Sequence, residues 1–138
     1  MRAFRTSITI HSSADHIWRI LTDAVTWTQW NTTVEKIEGT IALGKTVKVY
    51  PKINPKQAFP VKVTEFTAGK GMVWSGGMPF GLFTGKRIFT LWPNGDQVLF
   101  TMEETFSGPL EPLIGKSIPN MQPVFEEFAA ALKKRAEN

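Results

Sequence analysis

The sequence predicts a single α+β domain spanning residues 1–138, built as one strand, two short helices, six further strands in antiparallel hairpins, and a long terminal helix. Three observations predict it. Residues 3–10 alternate apolar and polar with the period of a strand. Residues 82–106 repeat that alternation twice around an Asn-Gly pair, the signature of a tight hairpin. From Met121 onward, apolar residues recur at three- and four-residue steps, the spacing of an amphipathic helix.

In residues 3–10, Phe4, Thr6, Ile8 and Ile10 share one face and Arg5, Ser7 and Thr9 the other. Ser12 or Ser13 supplies an N-cap for a short helix with Asp15 in its first turn and Ile17, Ile20 and Leu21 as its apolar stripe. The segment Trp27-Thr-Gln-Trp30-Asn31 packs a second short helix or turn against the sheet. Residues 34–37 and 45–50 read as strands bounded by Gly39 and Gly44, and Pro51, Asn54, Pro55 and Pro60 mark a loop. Residues 61–66 and 72–75 form a hairpin turning near Ala68 and Gly69, with Val63 and Trp74 on a shared face. Two apolar loops, residues 76–83 and 107–120, set Met78, Phe80, Leu110 and Leu113 among glycines and prolines. Such groups either fold under as core or line the entrance of a pocket. In the last helix Phe125, Phe128 and Leu132 lie on one side, and acids early and bases late complement the helix dipole.

Composition narrows the function classes. A chain of 138 residues buries about two-thirds of its unfolded surface around one core. No apolar run approaches the roughly 20 residues of a membrane-spanning helix, so no integral membrane contact is expected. The opening MRAFRTSITIHSS lacks the apolar core of a secretory leader, which makes the cytoplasm the default location. Without cysteine there are no thiolate nucleophiles or thiolate metal ligands, and the spacing of His11 and His16 suits no metal pair on one helix face. Gly76, Gly77, Gly81 and Gly85 surround a hairpin crossover and not a strand-to-helix phosphate loop. No metal and no cofactor are expected. The net charge of +4 is uneven: Lys45, Lys48, Lys52, Lys56 and Lys62 fall in an interval free of acids between Glu38 and Glu65. A basic face of this kind can meet nucleic acid or an anionic membrane. Single spacing without arginine clusters or interleaved aromatics reads as a solvated edge, and nucleic acid is not an expected partner.

The polar groups that stand out are Arg87 and Glu104. A turn at Asn94-Gly95 places Leu91 opposite Val98, Phe89 opposite Phe100, Arg87 opposite Met102 and Phe83 opposite Phe106, with Glu104 diagonal to Arg87 on the same apolar face. Charge on such a face is costly unless it is paired or reaches a solvated mouth. The two groups therefore either anchor the polar end of a ligand or pair with each other at a sheet end. Lys48, Tyr50, Glu65 and Trp74 are further candidates for the same wall.

The order of elements resembles the helix-grip fold of the Bet v 1-like superfamily. Several segments are similar to the polyketide cyclase/dehydrase and lipid-transport (SRPBCC, START-like) family: HIWRILTDAVTWTQWN with the downstream IEG, GLFTGKRIFTL, EETFSGPLEPLIG and FEEFAAALKKRAE. The resemblance implies a curved seven-stranded antiparallel sheet gripping the terminal helix around a cavity, on a scaffold shared by binders, carriers, cyclases and chaperone regulators.

The leading expectation is binding of a small hydrophobic molecule such as a lipid, polyketide or isoprenoid. Trp74, Phe83, Phe89, Phe100, Met102, Phe106, Phe125 and Phe128 would line the cavity, Arg87 and Glu104 anchor the polar end, and loops around Phe80 and Leu113 gate it. Two alternatives stay open. One is a cyclase, aromatase or small hydrolase using Glu104 as acid/base beside Arg87. The other is an interaction module like the chaperone co-regulators, contacting its partner through the lysine-bearing stretch.

Overall fold

The computed structural model describes residues 2–138, with side chains from residue 3 onward. The chain runs β1 (Arg2–Ile10), α1 (Ala14–Thr22), α2 (Trp27–Trp30), β2 (Val34–Glu38), β3 (Thr46–Pro51), β4 (Phe59–Thr67), β5 (Gly71–Met78), β6 (Phe83–Asn94), β7 (Gln97–Ser107), α3 (Glu111–Ile114) and α4 (Gln122–Glu137). The strands form one curled antiparallel sheet in the order β1-β7-β6-β5-β4-β3-β2, with α4 on its concave side, as the helix-grip expectation requires. The α3 turn lies in a stretch expected to be loop throughout; Pro112, whose φ is already helical, begins it.

Local chemistry sets the boundaries. Ser13 caps α1, its Oγ accepting the backbone N–H of His16 at 3.1 Å. The β6–β7 turn falls on Gly95-Asp96, one residue later than the Asn-Gly pair suggests, with Gly95 at φ +67°. The register is consequently two residues from the expected one: Leu91 faces Phe100, Phe89 faces Met102, and Arg87 faces Glu104 directly instead of diagonally. A slip of two preserves which side chains point inward, so the apolar pattern cannot distinguish these registers and turn geometry decides.

The concave side is filled by rings. Phe128 of α4 sits 5.7 Å from Trp27, 5.5 Å from Trp30, 6.2 Å from Phe89 and 6.1 Å from Phe100, centroid to centroid. Trp27 in turn stacks on Trp74 at 5.5 Å, and its Nε1 donates to the Leu21 carbonyl at 2.9 Å. The interior thus draws on α1 and α2 as well as α4. That is why the concavity holds more side-chain volume than a single gripping helix could supply.

The free edge of β1 is covered by α4. Gln122 Nε2 donates to the Arg5 carbonyl at 2.7 Å and Lys133 Nζ to the Thr9 carbonyl at 2.6 Å. Glu137 accepts the His11 backbone N–H at 2.8 Å and Lys133 Nζ at 2.7 Å. These bonds satisfy backbone groups that an edge strand leaves open. The His11 N–H first, and then Lys133, pull the Glu137 carboxyl from its ordinary 4.5 down to about 2.

Two predictions follow from this packing. Phe128→Ala removes the ring shared by four aromatic neighbours and should cost about 3–5 kcal/mol of unfolding free energy in urea; a loss below about 1 kcal/mol would show that the cluster does not hold the fold. A carboxylate with a depressed folded-state pKa stabilises the fold above its unfolded pKa and loses that contribution as pH falls. Hydrogen exchange at the end of α4 should therefore accelerate as pH drops from 4.5 toward about 2, beyond the intrinsic pH dependence of exchange. Glu137→Gln should flatten that response, and an unchanged acid profile would remove the clasp.

Candidate functional site

Across the inner face of the sheet one row reads Phe4, Glu104, Arg87, Trp74, Val63, each opposite the next on the neighbouring strand. The charge pair lies between aromatic residues on both sides. Arg87 Nε donates to Glu104 Oε1 at 3.0 Å, and the guanidinium carbon stands 4.8 Å from the centroid of Phe125 on α4. The side chains retain 24% and 17% of their exposure. They are thus neither in bulk water nor sealed in. The bond uses one of the guanidinium's five donors, so its terminal nitrogens keep four N–H groups for another acceptor.

Deeper than this row lie Phe89, Phe100, Met102 and Phe128, all essentially without exposure, with Trp74 beside them. These residues, expected to line a cavity, are packed against one another and against Trp27 and Trp30. On the other side of the row Phe4, Phe106 and Phe125 are buried and Phe83 is partly exposed. Phe83 stacks on Phe106 at 5.7 Å, Phe106 meets Phe4 at 6.4 Å, and Phe4 meets Phe125 at 5.9 Å, a ladder of rings leading from the sheet end to Arg87. Gly85 permits this arrangement, because a Cβ there would stand 3.1 Å from the Phe106 ring.

Three connections close this end: residues 52–58, 79–82 and 108–121. The last two are tied together by the Leu110 N–H bonding the Leu82 carbonyl at 2.9 Å. Phe80 and Leu113, expected either to fold under or to gate an entrance, do not fold under; they are 98% and 71% exposed. Phe80 also has left-handed backbone, φ +61°, which costs a residue with a Cβ on the order of 1 kcal/mol.

Other candidates fall elsewhere. Lys48, Tyr50 and Glu65 do not share the wall with Trp74. Val47 and Val63 take the inward positions, and a bulge between Val63 and Glu65 resets the alternation of β4. Tyr50 Oη donates to Glu38 Oε1 at 2.7 Å on the outer face, which holds the Glu38 carboxyl below its ordinary range and raises the Tyr50 phenol. His11 is exposed beside Glu137, and His16 lies in the first turn of α1. Among the described residues no group of three His, Asp or Glu could hold a metal ion. Two open depressions mark the surface: one of about 320 Å³ between Ile8 and the end of α4, one of about 280 Å³ over Glu65, Val73 and Ile88. Neither borders Arg87 or Glu104.

Two donors were not apparent from sequence. Trp30 Nε1 and Asn31 Nδ2 are buried with no acceptor among the described residues, although Asn31 Oδ1 accepts the Thr33 N–H and hydroxyl at 3.0 and 2.6 Å. Buried unpaired donors are uncommon and mark places where a water or a ligand oxygen would be held. Nothing in a Trp-Asn dipeptide signals this, since it depends on how deeply α2 sinks.

The fold recurs in solved structures of low sequence identity. The Aha1 dimer from Colwellia psychrerythraea is 20% identical, with a TM-score of 0.74 over 99% of this chain and 97% of that one. A START superfamily protein from Mycobacterium smegmatis is 18% identical, with a TM-score of 0.70 over 98% and 97% of the two chains. Protein MLL2253 from Mesorhizobium loti is 17% identical, with a TM-score of 0.74 over 96% and 95%. No curated protein is significantly similar in sequence. The family model described as polyketide cyclase / dehydrase and lipid transport matches residues 1–137, and the chain belongs to that family.

Proposed function

We propose that the protein binds a small, mostly apolar molecule of the lipid, polyketide or isoprenoid class at the loop end of the grip, with its polar group on Arg87. Membership in a family described by lipid transport supports the class of ligand. The observation that carries the reading is a guanidinium set on the inner face, over Phe125, with one donor engaged by Glu104 and the rest available. Phe83, Phe106 and Phe125 would hold the apolar body. The buried set of Phe89, Phe100, Met102, Trp74 and Phe128 forms the back wall, and Phe80 and Leu113 ride on the connections that part to admit a ligand.

Glu104 shapes the choice of head group. It neutralises Arg87, so a ligand carboxylate placed on the free donors would also sit near a like charge. Neutral acceptors such as a ketone or phenol avoid that repulsion. No sequence or structural feature favours a catalytic role for Glu104 over this one.

Mass spectrometry of the freshly purified native protein should show an apolar adduct, identifiable after extraction. Among added probes, Arg87→Met should weaken a polyene fatty acid about tenfold, the worth of one charge-assisted hydrogen bond. The same variant should leave diphenylhexatriene, which has no polar group, nearly unaffected. Glu104→Gln should tighten the fatty acid. Equal fatty-acid affinity in wild type and Arg87→Met would end the proposed role of Arg87.

The pair also has a structural consequence. Arg87→Met alone strands the Glu104 carboxylate among rings and should cost about 1–3 kcal/mol in thermal unfolding. Combining it with Glu104→Leu should recover most of that loss. Additive losses in the double variant would mean the two groups do not depend on each other.

A further inference from the structure

We infer that the loop end of the sheet docks on an anionic lipid surface. The inference concerns the outward surface of the connections that gate the proposed ligand site, and it requires neither Arg87 nor Glu104.

Strand register brings the three connections to one end of the molecule. Met78 opposes Phe83, Thr84 opposes Ser107, and Gly76 lies against the Pro60 carbonyl, so the starts of β4 and β6 and the ends of β5 and β7 lie together. Of the eleven large hydrophobic residues exposed on the described surface, six belong to this end: Ile53, Phe59, Met78, Phe80, Leu82 and Leu113. Solvent exposure of that much apolar side chain at one place indicates a surface that is covered in use.

The form of the patch favours lipid over a protein partner. Its apolar groups come from separate loops, strand ends and the short α3 turn, and do not form a continuous strand edge or helix face, which peptide-recognition modes require. Phe80 is the extreme case. Its left-handed backbone follows Pro79, and its ring stands almost wholly in solvent.

Charge agrees. The three connections carry Lys52, Lys56 and Lys116 against a single acid, Glu111, which is half-buried. Lys62 and Lys86 stand on the adjoining strands. Basic residues around apolar tips match a surface of negative head groups, each contributing attraction that salt screens. Contact would be peripheral, since no helix is long and apolar enough to cross a membrane. The acid-free lysine stretch, otherwise a solvated edge, thereby acquires a partner.

The test is co-sedimentation of the full chain with vesicles of phosphatidylcholine alone and with about 30 mol % phosphatidylserine added. Binding to the phosphatidylserine vesicles should be the stronger and should fall as salt is raised. Phe80→Asp with Leu113→Asp should lower it about tenfold or more while leaving the melting temperature unchanged, because both side chains are already in solvent. Lys52→Glu with Lys56→Glu should lower binding to anionic vesicles only. Absence of wild-type binding, or equal binding by the Phe80/Leu113 variant, would overturn the inference. So would concentration-dependent self-association, lost in that variant, without vesicle binding; it would assign the face to a second copy of the chain.

Discussion

The concave side of a curled sheet has to be filled, and in this protein Phe128 is where the filling converges. Its ring touches tryptophans from α2 and phenylalanines from β6 and β7, so one side chain couples the terminal helix, the early helices and the centre of the sheet. Close packing of this kind tolerates little empty volume. Trp27, Trp30 and Phe128 occupy the middle, so a ligand held at the loop end, as proposed, would lie beyond the row that contains Arg87 and Glu104. The charge pair stands between the Phe128 cluster on one side and the Phe83, Phe106, Phe4 and Phe125 ladder on the other.

Much of this was legible in the sequence because it rests on periodicity. Period-two alternation gave β1, β6 and β7 their inward faces, and a register error of two residues left those faces intact, so Arg87 and Glu104 were placed together even with the turn misassigned. Ser13 and the three-and-four spacing after Met121 were equally local signals. Parity failed where the backbone breaks it. The bulge after Val63 turns Glu65 outward; in β3 parity holds, with Val47 and Val49 inward and Tyr50 facing Glu38 on the outer side. Depth of burial was not readable at all for the candidate lining residues. Whether Phe89 faces a ligand or another ring depends on Trp27 and Trp74, which are distant in sequence and meet only in three dimensions.

The two ends of the sheet differ in their connections. At one end β4 joins β5 through residues 68–70, β6 joins β7 through Gly95-Asp96, and β2 joins β3 through residues 39–45. Alternate ends of an antiparallel meander need not be alike: the other end carries residues 52–58, the four-residue hairpin 79–82 and the long connection 108–121. Short turns are pinned by ladder hydrogen bonds on both sides. The connections at 79–82 and 108–121 are bonded mostly within themselves and joined by the bond from Leu110 to Leu82, and loops of this kind are the segments whose rearrangement costs least. Opening at this end would expose Phe83 and Phe106 and reach Arg87 without disturbing the Phe128 cluster. On the proposed reading, a ligand could then enter while the Phe128 cluster stays in place.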